Sequence, residues 1–560
     1  MFFKLALAFV IVCAVTAQIL PPTGIRITRP GPVIETRAGY IQGQQETYDL
    51  FRRINTYKGI RYGTAPLGIM RFRQSSAPLP YIGVFQAWQY GVQCPQFSFI
   101  LNRFQGEEDC LFLNIATPIN IRARLPVVFS IHGGGLQFGH GEMSLLGPEY
   151  INQDNVIFVS FNYRLNVLGF LNTGDASSPG NYGLKDMILA LQWVRDNIEF
   201  FGGNPDDVTI HGISGGAVAV HALVISPVAT GLFHKAIAHS GSLFNSWAFN
   251  NNPLSAALRV GQRLQLQFSG VADLVNQLRQ VSVQRLLEAA GPFTNEAPVL
   301  IDELRFMPSI DPIGSPEPRI IPAPVQFLVK SGNINTVPFM VGFNAQESLN
   351  AMTDISNDPT ILERFNQNPH LLVPVEWNIA PGSAASQGVI ATFRNLYFGG
   401  ATNITTDLAW EWSQYISDRE FIFGISKQAR LHALSQNVYY YRFSYTGSLS
   451  FAQRLLGLGD FPGALHGDDA FYLFRLNFAA TPVLPGDEAF AIQRRQVRLW
   501  TNFYKFGNPT PTIADPMINA LWPRLTANED YMDIRASLVP GFHPNRARMD
   551  VWHALDNQFT

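Results

Sequence analysis

The stretch Phe201-Gly202-Gly203-Asn204-Pro205-Asp206-Asp207-Val208-Thr209-Ile210-His211-Gly212-Ile213-Ser214-Gly215-Gly216 decides how this chain is read. It carries Gly-x-Ser-x-Gly at the end of a short apolar strand, Val208 to Ile210, and a helix-compatible run, Ala217 to Ile225, follows. Strand, sharp turn and helix form the setting of a nucleophile elbow, in which a tight turn lifts a serine hydroxyl above a sheet. Gly212 and Gly216 suit such a turn because the backbone packs too closely there for a Cβ. A lone copy of the motif also occurs by chance in long chains, so the rest of the sequence must support it.

Outward from the elbow, the pattern alternates strands and helices. Leu125 to Ile131 and Val156 to Phe161 are apolar on both faces, which suits the middle of a mostly parallel sheet covered on both sides. Leu184 to Phe200 has helical spacing, with Leu184, Ile188, Leu191, Val194 and Ile198 on one face. Tyr40 to Tyr62 is short and β-rich; Lys235 to His239, Pro338 to Phe343 and Val438 to Tyr445 are further strands. Leu349 to Leu434 is richer in helical patterns and polar turns and reads as helices inserted above the sheet. Arg494 to Phe506 is a late helix stopped by Gly507-Asn508-Pro509. The order predicts an α/β class with a parallel sheet, and no linker separates independent domains.

Composition narrows the function classes. The 560 residues are 47% hydrophobic and only 15% charged, with a net charge of -2, which favours a large core and excludes a nucleic-acid footprint. Lys4, the apolar run Leu5 to Val15 and the small residues Val15-Thr16-Ala17 read as a secretory signal over residues 1–17, leaving 18–560 as one domain. That run is too short to span a bilayer, and no later segment reads as transmembrane. Secretion to the extracellular space is the expectation. Cys13 leaves with the signal, so Cys94 and Cys110 remain as an even pair in an oxidising compartment, either bridged or as two buried thiols. A bridge closing so short a loop contributes about 3 kcal/mol on the chain-entropy account. Asn403-Ile404-Thr405 is a glycosylation sequon, whereas Asn508-Pro509-Thr510 fails through its proline.

A serine hydroxyl becomes a nucleophile only when a base takes its proton, and the base needs a third group to fix its tautomer. The elbow architecture orders these groups as serine, acid, histidine. Downstream of Ser214, Phe339 to Ser348 ends a strand and places Glu347 in the loop at its carboxyl end, where catalytic groups gather in open α/β sheets. By itself Glu347 also reads as a solvated surface residue. Gly463-Ala464-Leu465-His466-Gly467 supplies a histidine on a glycine-flanked loop before an apolar helix, either a base or a plain loop residue. Asp468 and Asp469 read as helix-start carboxylates rather than as the acid. His132-Gly133-Gly134-Gly135 follows the strand that ends at Ile131; its N–H groups, with that of Gly215, can converge on an oxyanion. His132 itself reads as structural.

With these elements in order, the chain resembles the carboxylesterase/lipase family, also called type-B carboxylesterases. Phe201 to Gly216 matches the serine signature, and Glu108-Asp109-Cys110-Leu111-Phe112-Leu113-Asn114-Ile115 looks like the cysteine signature. Asn162-Tyr163-Arg164-Leu165, Trp500-Thr501-Asn502-Phe503 and Gly463 to His466 match as well, and coverage runs from about Ala38 nearly to the C-terminus. The resemblance implies an α/β-hydrolase fold: a central, mostly parallel twisted sheet, helices on both faces, and a helical gorge or cap over about 349–434. It further implies Ser214 as nucleophile, Glu347 as acid, His466 as base, Gly134, Gly135 and Gly215 as oxyanion donors, and a Cys94–Cys110 disulfide. No metal or organic cofactor is required by that chemistry, and the partner is a small-molecule ester. Nothing in the sequence sets an oligomeric state.

Two departures shape the substrate. The residue before the nucleophile is usually Glu in these enzymes, or Gln in insect juvenile hormone esterases; here Ile213 stands there and removes a polar group beside the serine. The Cys94–Cys110 loop has no tryptophan, which a choline site uses for cation–π binding. Neutral, apolar carboxylic esters follow as the expected substrates. Clearance of a hormone, pheromone or odorant ester, or adhesion without catalysis as in neuroligin-like relatives, are the alternatives.

Overall fold

The computed structural model describes residues 28–47, 53–98, 103–121, 124–144, 146–291, 306–450, 453, 456–459, 461–475, 486–511 and 515–560. The expected signal at 1–17 lies outside them. In chain order the strands are β1 (Thr28–Thr36), β2 (Gly39–Thr47), β3 (Arg53–Arg61), β4 (Val84–Gln86), β5 (Gln96–Phe97), β6 (Phe104–Gln105), β7 (Phe112–Pro118) and β8 (Leu125–Ile131). There follow β9 (Ile157–Phe161), β10 (Gly203–Ile213), β11 (Lys235–His239), β12 (Phe339–Asn344), β13 (Val438–Phe443), β14 (Asp530–Ile534) and β15 (Leu538–Phe542). Among the described residues one 13-stranded sheet runs β1-β2-β3-β7-β9-β8-β10-β11-β12-β13-β14-β15, with β4 beside β2.

The middle of this sheet, β9 through β14, is parallel. Antiparallel strands close both flanks. β10 is central: Ile210 lies between Phe129 of β8 and Ala236 of β11. Its residues Val208 to Ile213 are buried on both faces, as a strand in the middle of a covered parallel sheet must be. Each such Val or Ile contributes about 1.5–3 kcal/mol by leaving water. The strand is longer than its apolar core suggested because Gly203 already pairs with Leu125 before a register shift to Val208.

The helix expected from Leu184 spans Tyr182–Asn197 and passes into a 3-10 turn, Ile198–Phe201. Gly202, at φ 83°, ends that turn in the left-handed conformation a glycine tolerates. The late helix is longer than its apolar pattern implied, Glu488–Phe506, because Asp487 caps it by accepting from the Ala489 N–H. Between β12 and β13 lie five α-helices, Ala351–Asn357, Thr360–Gln367, Ala384–Phe398, Ala409–Ser417 and Phe423–His432. A π-helical turn, Asp418–Ile422, joins the last two; such turns are rare and collect at functional sites. Cys94 and Cys110 form a disulfide.

Candidate active site

The strand β10 ends at Ile213 and the elbow helix, Gly215–Ile225, begins one residue after Ser214. A Cβ on Gly212 would meet the Gly216 carbonyl oxygen at 2.2 Å, and one on Gly216 would meet that of Ile131 at 2.1 Å. Backbone cannot yield at such distances, so both positions require glycine. The turn holds Ser214 at φ 58° and ψ -121°, a conformation that costs a non-glycine residue about 1–3 kcal/mol. Its backbone is fully engaged: the N–H donates to His239 O (2.8 Å), and the carbonyl accepts from Ala217 and Val218. The side chain is thereby fixed at the carboxyl edge of the sheet.

Two neighbouring strands position Glu347. The Ser240 N–H, just past β11, donates to Gly342 O of β12 at 2.9 Å. Glu347 follows β12 and is buried. The strands that lead to Ser214 and Glu347, β10 and β12, thus lie two strand spacings apart, about 10 Å, with β11 between them. His466 Nδ1 lies 2.6 Å from Glu347 Oε2. The two loops are stitched together by a parallel bridge, Gln346 to Leu465, by Gln346 N–H to Ala464 O (2.9 Å) and by His466 N–H to Glu347 O (3.3 Å). The link from the Ser214 hydroxyl to His466 Nε2 is not closed as a hydrogen bond among the described residues, a link that commonly tightens only around substrate.

Glu347 has further partners that sequence reading missed. Its Oε1 accepts from the Ser240 hydroxyl at 2.6 Å and from the Asn344 N–H at 2.7 Å. With His466 this makes three donors on one carboxylate. Ser240 follows directly on a recognised strand, so the rule that catalytic groups gather at carboxyl strand ends could have found it. Phe421 was also missed. It lies in the π-helical turn with its ring 4.6 Å from that of His466, and Trp247 packs on it at 5.7 Å.

The glycine loop after β8 turns back on the elbow. Gly134 (φ 103°), Gly135 (φ 58°) and Leu136 (φ 58°) all adopt left-handed conformations. A Cβ built on Gly215 would lie 2.9 Å from Gly135 N and 2.7 Å from Leu136 N, so loop and elbow are in contact. The N–H groups of Gly134, Gly135 and Gly215 donate no hydrogen bond among the described residues. They are therefore available to an anion beside Ser214. His132 holds this loop: its Nδ1 lies 2.8 Å from Gly133 O and its ring stacks on Tyr163 at 4.3 Å. Burial pushes its imidazole down to about 3, so it is neutral.

The carboxylates after His466 stand in the first turn of a helix, as the sequence suggests, and both are buried. Asp468 accepts from the Leu465 N–H at 2.9 Å and braces the loop. Asp469 is the second residue of a single helical turn, Asp468–Phe471, and is wholly buried against His239, Tyr441 and Asn344. Its role is that of a network member, because burial leaves no solvated helix end for it to complement. Ile213 is 9% exposed and packs into the apolar cluster with Phe158, Ile237 and Tyr441. Asn403 is exposed, as a glycosylated residue must be.

Comparison with known proteins gives a consistent picture. The Carboxylesterase family model matches residues 30–552. The chain is 31% identical over 498 residues to juvenile hormone esterase of Tribolium castaneum, covering 86% of this chain and 84% of that one. It is 30% identical over 519 residues to venom carboxylesterase-6 of Apis mellifera, covering 89% and 88%. Among solved structures, juvenile hormone esterase from Manduca sexta with OTFP covalently attached superposes with a TM-score of 0.83 at 28% identity, covering 94% of this chain and all of that one.

Proposed function

This chain belongs to the carboxylesterase family and is a carboxylic-ester hydrolase; from that premise we propose that it is a secreted serine esterase whose triad is Ser214, Glu347 and His466. The observation that carries the reading is the Glu347–His466 hydrogen bond (2.6 Å) formed beside an elbow that holds Ser214 at positive φ. With Nδ1–H directed at Glu347, His466 keeps a lone pair on Nε2. That nitrogen takes the Ser214 proton as Oγ attacks the ester carbonyl carbon. The carbonyl oxygen becomes an oxyanion facing the N–H groups of Gly134, Gly135 and Gly215. As the tetrahedral intermediate collapses, His466 returns the proton to the departing alcohol oxygen and an acyl-serine remains. Water then gives a proton to His466 and attacks the acyl carbon, and the carboxylic acid leaves as Ser214 regains its proton.

Neutral apolar esters suit this site. The residue before the nucleophile is the buried, apolar Ile213, which brings no polar group next to the serine, and Phe421 backed by Trp247 forms an aromatic wall against His466. Secretion is supported by the N-terminal signal pattern and by a disulfide of the kind that persists in oxidising compartments. No helix among the described residues is long and apolar enough to cross a membrane.

The test is covalent labelling followed by kinetics. An organophosphate should add one adduct, on Ser214, and Ser214→Ala should lose the p-nitrophenol burst. Rates across p-nitrophenyl esters of rising acyl length should exceed those on choline esters. Folded protein that takes no adduct, or a burst that survives Ser214→Ala, would remove the triad reading.

A further inference from the structure

A second buried histidine–carboxylate pair lies directly behind the triad. His239 and Asp469 are both 0% exposed, and His239 Nδ1 lies 2.8 Å from Asp469 Oδ2. The Tyr441 hydroxyl touches both atoms at 2.8 Å. On the other side of the ring, His239 Nε2 receives the Trp500 indole N–H at 2.9 Å and meets His211 Nε2 at 2.8 Å. An indole N–H only donates, so His239 Nε2 is an acceptor, His211 donates to it, and the His239 proton sits on Nδ1, facing Asp469. Burial alone would push the Asp469 carboxyl up; the His239, Asn344 and Tyr441 groups facing it outweigh burial and hold it at about 2.

From Asp469 the bonds lead toward the catalytic acid. Asn344 Nδ2 donates to Asp469 Oδ1 (3.1 Å) and to Ser240 Oγ (3.2 Å). Its amide orientation is settled by the Asp469 backbone N–H, which donates to Asn344 Oδ1 at 3.3 Å. Ser240 therefore accepts from Asn344 and spends its own proton on Glu347 Oε1, at 2.6 Å. Asn344 thus donates both ways, back to the anion at Asp469 and forward to Ser240, and Ser240 in turn donates to Glu347.

We propose that Asp469, anchored by His239 and Trp500, is a positioning residue for the catalytic carboxylate: it orients the Asn344 amide and so aims the Ser240 hydroxyl at Glu347. The proposal rests on the triad reading above. Asp469→Asn preserves shape but offers one oxygen to donors arriving at both of its former oxygens. Two of them, His239 Nδ1–H and Tyr441 O–H, converge on the same side and claim the oxygen. The new NH2 group then faces the Asn344 NH2, donor against donor. Asn344 turns or withdraws, and Ser240 is released from Glu347.

The experiment measures kcat and KM of the full chain on p-nitrophenyl butyrate, normalised to sites titrated by an organophosphate. Asp469→Asn is expected to lower kcat by about 10- to 100-fold, the worth of one hydrogen bond to a charged group, with KM little changed. Ser240→Ala should fall similarly, and adding Asp469→Asn to it should cost little more. His239→Asn keeps a donor where Nδ1–H stands and should retain near-native kcat, whereas His239→Leu should fall with Asp469→Asn. If Asp469→Asn yields no folded protein, the His239 pair carries the test. A native kcat in Asp469→Asn or His239→Leu overturns the proposal, as does an undiminished loss on adding Asp469→Asn to Ser240→Ala. Failure of the triad reading is separate: it shows as a burst surviving in Ser214→Ala, whatever Asp469 does.

Discussion

Replacing Glu347 by glutamine tests the proposed triad with the least change in shape. Three donors converge on the carboxylate: His466 Nδ1–H at 2.6 Å on one oxygen, Ser240 O–H at 2.6 Å and Asn344 N–H at 2.7 Å on the other. A glutamine amide has one oxygen for these two positions. If it faces Ser240 and Asn344, two bonds survive and the NH2 group points at His466 Nδ1. If it faces His466, one bond survives and the NH2 group meets an Asn344 N–H that the backbone holds in place. The first arrangement keeps one more bond, about 1 kcal/mol, and avoids a buried unpaired donor costing about 1–3 kcal/mol. It is therefore the populated one. There, Nδ1 must accept, so the imidazole proton moves to Nε2 and the base facing Ser214 disappears. A wrong tautomer of this kind lowers kcat by about 10⁴ in a serine hydrolase, so Glu347→Gln should lose about 10³–10⁴ in kcat. KM should change little, since Glu347 is buried and away from substrate. The assay is steady-state turnover of p-nitrophenyl butyrate, with circular dichroism to verify the fold. A folded Glu347→Gln that keeps a tenth or more of native kcat (about 1.4 kcal/mol lost) would refute the assignment of Glu347 as the acid.

Gly134→Ala should remove catalysis through the oxyanion loop: Gly134 lies at φ 103° and its Cβ would meet the Phe138 carbonyl oxygen at 2.1 Å, so the loop must shift. A loss of about 10²–10³ in kcat is expected, and native turnover would show that this loop does not face the developing charge. Stability should fall in acid. Burial holds His432 and His553 down at about 3, whereas the unfolded chain protonates them near 6.5, so unfolding takes up protons between these values. The stabilisation is complete above about pH 6.5 and declines toward pH 3, by about 1.4 kcal/mol per pH unit for each histidine. Thermal melts from pH 7 to pH 4 should show a falling Tm, with a shallower slope in His432→Gln; a flat profile would contradict the neutral, buried assignment.

Much of this architecture was legible because the residues carrying it are fixed by backbone geometry. Leu125–Ile131 and Lys235–His239 are strands over the very residues their apolar runs marked. Gly212 and Gly216 announce a close approach that only glycine allows. Glu347 and His466 were found through their loops rather than through any local preference, and the structure brings those two side chains together. What stayed hidden depends on contacts across the sheet. Ser240, Asn344 and Asp469 look like ordinary polar residues, since their partners lie between 104 and 230 positions away in sequence. Phe421 was invisible for a different reason: its placement follows from a π-helical turn, which no hydrophobic period marks. The Asp487 cap was overlooked because the apolar pattern of its helix starts later than the helix does.

The short bridge between Gln346 and Leu465 has a consequence for how such a protein can diversify. Glu347 and His466 lie 119 residues apart in sequence, yet their loops are clasped to one another at the root of the excursion between them. The helices spanning 351–432 therefore hang from a closed clasp, much as a handle hangs from a buckle. Lengthening, trimming or recombining that handle would alter what surrounds Ser214 while leaving the Glu347–His466 pair at its base in register. Selection for a new ester would be free to work there first.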